Sequence, residues 1–317
     1  MKLVVDRYIP FLVDAVQKEW PQVHIVPLDP EEINASSLSD ADVVVVRTRT
    51  KVNEQLLAGS RVRLVCTATI GYDHIDSAYC ESHGIRWMSC PGCNAQAVCE
   101  YIEEALEESK VESRKSKVIG IVGVGHVGSL VAQMAAHKGY NVLLNDPPKR
   151  LGVSLEEIAN NCDIITFHTP LDVSTYHLCN AQFLSQCKPD ALIINAARGG
   201  VVDEQALLHS GHPYILDTWE NEPHINSEVL RNAFRASMHI AGYSMEGKRN
   251  ASQMCLDAIA QEFRLPRIEL MRPRDHEIAS QLNKNNEPYW LAAITDQLKA
   301  QPQAFESLRK AYPLRGA

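Results

Sequence analysis

The sequence predicts an α/β protein built from two doubly wound parallel sheets, and three observations carry that reading. Short β-branched runs alternate with stretches of helical periodicity. Those runs are apolar almost without interruption, as in strands covered on both faces. The 317 residues exceed the usual size of one compact domain.

In chain order, the first strand is expected at 3–5, between Lys2 and Asp6. Further strands are expected at 43–46, 63–66, 118–122, 141–144, 163–167, 191–194 and 214–216. A helix over 127–138 sets Leu130, Val131, Met134 and Ala135 on one face and stops at Gly139, which closes a helix without strain. A domain boundary is placed near 91–94. It is followed by a helix over 95–113 with Val98, Tyr101, Ile102, Ala105 and Leu106 on one face and a solvated charge run, including Glu103, Glu104, Glu107 and Glu108, on the other. After Ser244 the alternation weakens, and from 265 the chain is polar and broken by Pro266, Pro273, Pro288 and Pro302.

Composition narrows the function. With 45% hydrophobic and 22% charged residues the chain reads as globular, and no apolar run is long enough to span a bilayer. The N-terminus shows no apolar leader, so a cytoplasmic protein with reduced thiols is expected. Among nine cysteines only Cys90-Pro91-Gly92-Cys93 has redox-motif spacing, and without a thioredoxin-like context it reads as a loop; no metal is expected. A net charge of −8 with no basic stripe argues against a nucleic-acid partner, so an anionic ligand needs local positive groups.

The strand at 118–122 runs into Gly123-Val124-Gly125-His126-Val127-Gly128 and then into a helix. That context is what the dinucleotide fingerprint requires: the first glycine makes the tight turn, the second lets pyrophosphate approach backbone N–H groups at the helix N-terminus, and the third lets helix pack on strand. The next strand leads to Asp146, 18 residues beyond Gly128, where a carboxylate can accept the adenosine ribose hydroxyls. A carboxylate there repels a 2′-phosphate, so NAD is expected rather than NADP, with Lys149 and Arg150 nearby as the opposing feature.

Three later motifs add reactive groups. Asn195-Ala196-Ala197-Arg198-Gly199-Gly200-Val201-Val202-Asp203 puts Arg198 at a strand's C-terminal end, where open α/β sheets hold ligands. Leu216-Asp217-Thr218-Trp219-Glu220-Asn221-Glu222-Pro223 supplies a carboxylate and Met238-His239-Ile240-Ala241-Gly242-Tyr243 an imidazole. In this order behind a dinucleotide turn, and with 162–170 as a further motif, the chain resembles the D-isomer-specific 2-hydroxyacid dehydrogenases over nearly its whole length. Segments 47–53, 66–76, 91–95, 146–148 and 239–243 resemble members that act on a phosphorylated four-carbon hydroxy acid.

The resemblance implies a Rossmann-type NAD domain at 94–242 inserted in a flavodoxin-like substrate-binding domain at 1–93 plus 243–264, with a shortened C-terminal dimerisation segment at 265–317. It implies Arg198, Glu222 and His239 as catalytic. Thr48, Thr69 and Tyr243 are expected to face the substrate, and Asp146, Thr169, Ala196, Ala197, Asp217 and Gly242 the cofactor. His74, His126 and His168 are read as structural or cofactor-adjacent. Arg47, Arg49 and Lys51 are expected to offer at most two cations to a substrate phosphate, with Arg309, Lys310 or Arg315 of a homodimer partner as further sources. A phosphoglycerate or glyoxylate dehydrogenase of the same family, or a non-enzymatic NAD(H)-sensing regulator, remain alternatives to separate by experiment.

Overall fold

The computed structural model describes residues 1–109, 117–270 and 291–314. They divide into two compact units: 1–94 with 244–270, and 95–243 with 291–314. Arg315 and the expected helical residues 110–113 lie outside the described residues.

The first unit holds a five-stranded parallel sheet of β1 (Lys2–Asp6), β2 (His24–Leu28), β3 (Val43–Val46), β4 (Leu64–Thr67) and β5 (Arg86–Met88), in the order β2-β1-β3-β4-β5. Alternation along each strand sends Leu3, Val5, Val43, Val45 and Leu64 to one face, and Val4, Val44, Val46 and Val65 to the other. Helix Met245–Phe263 covers the former face through Ala251, Cys255, Leu256 and Ile259. Ser244 starts that helix by accepting the Gly247 amide at 3.0 Å. Cys90 and Cys255 stand 3.8 Å apart at Sγ, both fully buried, and burial raises the Cys93 thiol to about 12. A buried thiol of that kind is a poor nucleophile, in keeping with a structural loop.

The second unit holds a seven-stranded sheet ordered β12-β11-β10-β9-β6-β7-β8. Its strands are β6 (Val118–Val122), β7 (Asn141–Asp146), β8 (Leu151–Gly152), β9 (Ile164–Phe167), β10 (Leu192–Asn195), β11 (Tyr214–Leu216) and β12 (Arg235–Ala236). All are parallel except the β7–β8 pair. The chain builds outward from β6 to β8, then returns to β9 and builds the other way. The direction of winding thus switches between β6 and β9, the point at whose C-terminal strand ends open α/β sheets hold ligands.

Helix Ala95–Glu108 buries Val98, Tyr101, Ile102, Ala105 and Leu106 against this sheet. Its acidic face is not simply solvated. Glu103 and Glu107 hold Lys138 at 2.9 and 2.6 Å, and Glu108 pairs with Arg235 and accepts the Ala292 amide at 3.3 Å. Of the segment expected at 265–317, residues 265–270 join the first unit and 291–314 the second. Helix Leu291–Ala300 covers the β12 edge of the sheet, where Thr295 Oγ1 accepts the Ala236 amide at 2.9 Å, and Phe305 of helix Phe305–Ala311 is buried in the core of this unit. Among the described residues no helix is long and apolar enough to cross a membrane.

Candidate active site

The glycine turn after β6 has the shape its sequence requires. Gly123 has φ +87 and lies against the His168 carbonyl, so a side chain there would be strained and crowded at 2.8 Å. At Gly128 a Cβ would fall 1.9 Å from the Gly123 oxygen, whereas at Gly125 it would meet nothing within 4 Å. Helix His126–His137 therefore begins pressed against the turn, with its entry open at Gly125 and no side chain capping it. His126 and Val127 form its first turn.

Asp146 ends β7 and is 8% exposed. Its Oδ2 accepts the Val124 amide at 2.9 Å and its Oδ1 the Lys149 amide at 3.3 Å, tying the carboxylate to the glycine turn. Lys149 Nζ donates to Val124 O at 2.5 Å and stands 3.8 Å from Asp146. An ionised carboxylate has about four acceptor sites, so two remain for ribose hydroxyls. Thr169, just past β9, has a buried Oγ1 with no hydrogen-bond partner among the described residues. An open helix start, a carboxylate tied to the glycine turn with acceptor sites to spare and an orphaned hydroxyl at the ends of neighbouring strands fit a dinucleotide.

Two strands along, the reactive groups meet. Asn195, 1% exposed at the end of β10, accepts the Ala197 amide at 3.1 Å through Oδ1 and donates from Nδ2 to Arg198 O at 2.8 Å, fixing the 196–198 loop. Arg198 leaves the loop extended, and its Nη1 donates to Ala197 O at 2.8 Å. After β11, Glu222 Oε1 accepts the Trp219 amide at 2.9 Å, and Oε2 lies 2.8 Å from His239 Nδ1. Arg198, Trp219, Glu222 and His239, with Leu171 and Tyr176, line a cleft of about 370 Å³.

His239 sits at φ +58, a conformation rare for a side chain of its size. Asp217 holds it there: its carbonyl accepts the His239 amide at 2.8 Å, Oδ1 accepts Ile240 N at 2.7 Å and Ser237 Oγ at 2.6 Å, and Oδ2 accepts Ala241 N at 3.0 Å. Both oxygens of this residue, expected at the cofactor, are thus engaged by the loop that carries the imidazole. Tyr101 extends the network through its hydroxyl, 2.8 Å from Ser237 Oγ. Burial pushes the Glu222 carboxyl up, but the His239 bond and charge, the Trp219 amide and the Arg309 charge outweigh it, and the net direction is down. Glu222 is therefore ionised at neutral pH.

The expected substrate residues fall in both units. In the first, Thr48 is exposed beyond β3, while Thr69 Oγ1 is 2.7 Å from Thr67 Oγ1 and donates to Gly71 O at 2.9 Å. His74 Nε2 joins the same cluster, 2.9 Å from Thr67 Oγ1. Arg47 is not a free cation: it forms a two-pronged pair with fully buried Asp6, at 2.8 and 3.2 Å. In the second unit Tyr243 follows Gly242, and the Arg309 guanidinium of the same chain stands 5.6 Å from its ring centre. Sequence reasoning sought Arg309 in a partner subunit; here the C-terminal helix brings it to Tyr243 within one chain. His168, partly buried just past β9, is lowered to about 3 by burial and is therefore neutral.

A glycine turn open to a dinucleotide, with an arginine and a carboxylate–imidazole pair along the same sheet edge, defines an NAD-dependent oxidoreductase. The chain belongs to the D-isomer specific 2-hydroxyacid dehydrogenase family, whose NAD binding domain matches residues 96–241. Among its relatives, an erythronate-4-phosphate dehydrogenase of Bacteroides fragilis is 40% identical over 343 residues, spanning 99% of this chain and 97% of that protein. The enzyme of the same name from Porphyromonas gingivalis is 40% identical, spanning 99% and 92%. The fold is shared with the NAD⁺-bound 3-phosphoglycerate dehydrogenase of Entamoeba histolytica (TM-score 0.72, 24% identity, 86% of this chain and 99% of that one).

Proposed function

We propose that the protein oxidises 4-phosphoerythronate to 3-hydroxy-2-oxo-4-phosphooxybutanoate with NAD, a step of pyridoxal phosphate biosynthesis, as a cytoplasmic homodimer. The observation that carries this reading is the end-to-end likeness, at about 40% identity, to erythronate-4-phosphate dehydrogenases. Residues 94–242 act as the dinucleotide-binding domain and 1–93 plus 243–264 as the substrate-binding domain.

Within this reading, Arg198 binds the C1 carboxylate and polarises the C2 oxygen, which fixes the reacting carbon. His239 takes the C2 hydroxyl proton at Nε2, because Nδ1 faces Glu222. Ionised Glu222 fixes the ring's tautomer and stabilises the imidazolium that forms. NAD, when bound, would supply the acceptor for the hydride that leaves C2. The residues that would hold it are Gly123, Gly125 and Gly128 with His126 and Val127 at the pyrophosphate, Asp146 at the ribose, and Thr169, Ala196, Ala197 and Gly242 beyond them along the strand ends, with Asp217 holding the loop that carries His239. Thr48, Thr69 and Tyr243 contact the substrate, and Arg309 beside Tyr243 adds a cation for an anionic group.

The test is the ratio of kcat/KM for 4-phosphoerythronate and unphosphorylated erythronate. A phosphate held by one or two charge-assisted hydrogen bonds, each contributing about 1.5–3 kcal/mol, gives a preference of at least ~10-fold. Equal use of the two acids removes the phosphate reading and leaves a general 2-hydroxyacid dehydrogenase.

Cofactor choice gives a second expected result. With Asp146 read as the ribose-binding carboxylate, the protein is expected to use NAD well and NADP poorly, and Asp146→Ala to narrow that gap by ~10-fold or more, with Lys149 and Arg150 left to receive the phosphate. Comparable use of NADP by the unaltered protein would remove Asp146 from the ribose.

A further inference from the structure

Two consecutive amides in the turn after β11 are held by two different carboxylates. The Trp219 amide donates to Glu222 Oε1 at 2.9 Å, and the Glu220 amide donates to Glu204 Oε1 at 2.6 Å. Glu204 opens helix Glu204–Ser210, which follows the Arg198 segment, and it is 3% exposed. Asp203 caps that helix by accepting the Ala206 amide at 2.9 Å, so the cap is a separate function carried by a separate side chain.

The Arg198 segment and the Glu222 turn also touch through backbone. A Cβ on Gly199 would fall 2.0 Å from Trp219 O and 2.6 Å from Glu220 N, so only glycine admits the approach. Glu204 forms a hydrogen bond across this junction. Its surroundings are costly for an acid: burial raises its carboxyl to about 7, the Glu220 amide opposes the rise, and the charges of Glu220 and Glu222 add to it. Tyr214 faces it from β11, and His177 stands behind Glu220, 2.5 Å from Glu220 Oε1 and 3.7 Å from Asp203. A packing role alone would be served by an apolar side chain; what the carboxyl adds is an acceptor for the turn's amide.

We propose that Glu204 is a positioning residue for the Glu222–His239 pair: by accepting the Glu220 amide it fixes the turn from which Glu222 reaches His239, in register with the Arg198 segment. The inference rests on the catalytic reading of that pair. Glu204 itself touches no substrate. It acts through the backbone, and the part of it that matters is one acceptor oxygen.

The test compares Glu204→Ala and Glu204→Gln in the full chain, with two readouts. The first is NADH formation from 4-phosphoerythronate and NAD; the second is NMR titration of the ¹³C-labelled His239 ring in the free protein, which needs no substrate. Glu204→Ala is expected to lower kcat by ~10-fold or more with the KM for NAD unchanged, since small misplacements of reacting groups are costly. It is also expected to displace the His239 titration. Glu204→Gln keeps the acceptor oxygen and is expected to restore both to near parent values. The inference is overturned if folded Glu204→Ala matches the parent in both readouts, or if Glu204→Gln is as impaired as Glu204→Ala. Should the alanine variant fail to fold, Glu204→Asp, which draws the acceptor back by one methylene, takes its place with the same expected loss and the same overturning result. An active His239→Ala sinks the catalytic reading instead, and the ring titration then still decides for or against Glu204.

Discussion

His239→Ala is expected to lower turnover by at least ~100-fold while the protein stays folded and still binds NAD, in line with the loss of a general base. The His239 side chain is 31% exposed and lies at the cleft rather than in the core, so truncation leaves packing intact. The backbone there is left-handed at φ +58, which alanine tolerates poorly and asparagine better. His239→Asn separates lost chemistry from backbone strain: both variants should be inactive, and melting temperature should report the strain. Near-parent turnover in either folded variant would remove the imidazole from the mechanism. Glu222→Gln is the companion. It keeps the size and the Trp219 bond but removes the negative charge that balances the imidazolium, so the rising limb of the oxidation pH profile should move to lower pH and turnover should fall by ~10-fold. A profile unchanged from the parent counts against the pairing.

Arg198→Ala is expected to reduce kcat/KM by ~1000-fold, the second large effect. Two roles are lost together: the charge-assisted bond to the substrate carboxylate and the polarisation of the C2 oxygen. Among the residues that line the cleft no other arginine or lysine takes over either role, and Glu220 and Glu222 are acidic. Arg198→Lys retains charge without the planar fork and should recover only a small part of the loss. Activity within ~3-fold of the parent in the alanine variant is incompatible with substrate held by Arg198, because one charge-assisted hydrogen bond alone outweighs that factor.

Central strands and the glycine turn were legible because burial on two faces leaves an unbroken apolar record. Residues 43–46, 118–122 and 214–216 are strands within the bounds read from sequence. The four strands without a sequence signal, β2, β5, β8 and β12, are all sheet edges. An edge strand has one neighbour and little demand for apolar side chains, and β2 even admits Pro27. Lys138, which turns the acidic face of helix Ala95–Glu108 into an ion-paired one, is remote in sequence, so no local pattern could mark it.

The site divides in the same way. Arg198, Glu222 and His239 were visible as residue types that hydroxy acid oxidation requires, in motifs resembling one family. The residues that hold them were not, because their roles are contacts across the sheet edge: Asn195 on the 196–198 loop, Ser237 and Tyr101 behind Asp217, and Glu204 on the Glu220 amide. Arg47 reads in sequence as a free cation beside Arg49 and Lys51, and only the fold reveals that Asp6 of the adjacent strand β1 takes it. Glu204 carried one weak sequence signal, a carboxylate in the first turn of a helix directly after an arginine-bearing loop, and that pattern is too common to single out.

The central claim is tested most directly by the reaction itself: the purified full chain mixed with NAD and 4-phosphoerythronate, with NADH followed by absorbance and the 2-oxo acid trapped as a hydrazone. The account predicts NADH and phosphorylated 2-oxo acid in equal amounts, with no turnover when NAD is omitted. Oxidation of 3-phosphoglycerate or another 2-hydroxy acid with no NADH formed from 4-phosphoerythronate would contradict it.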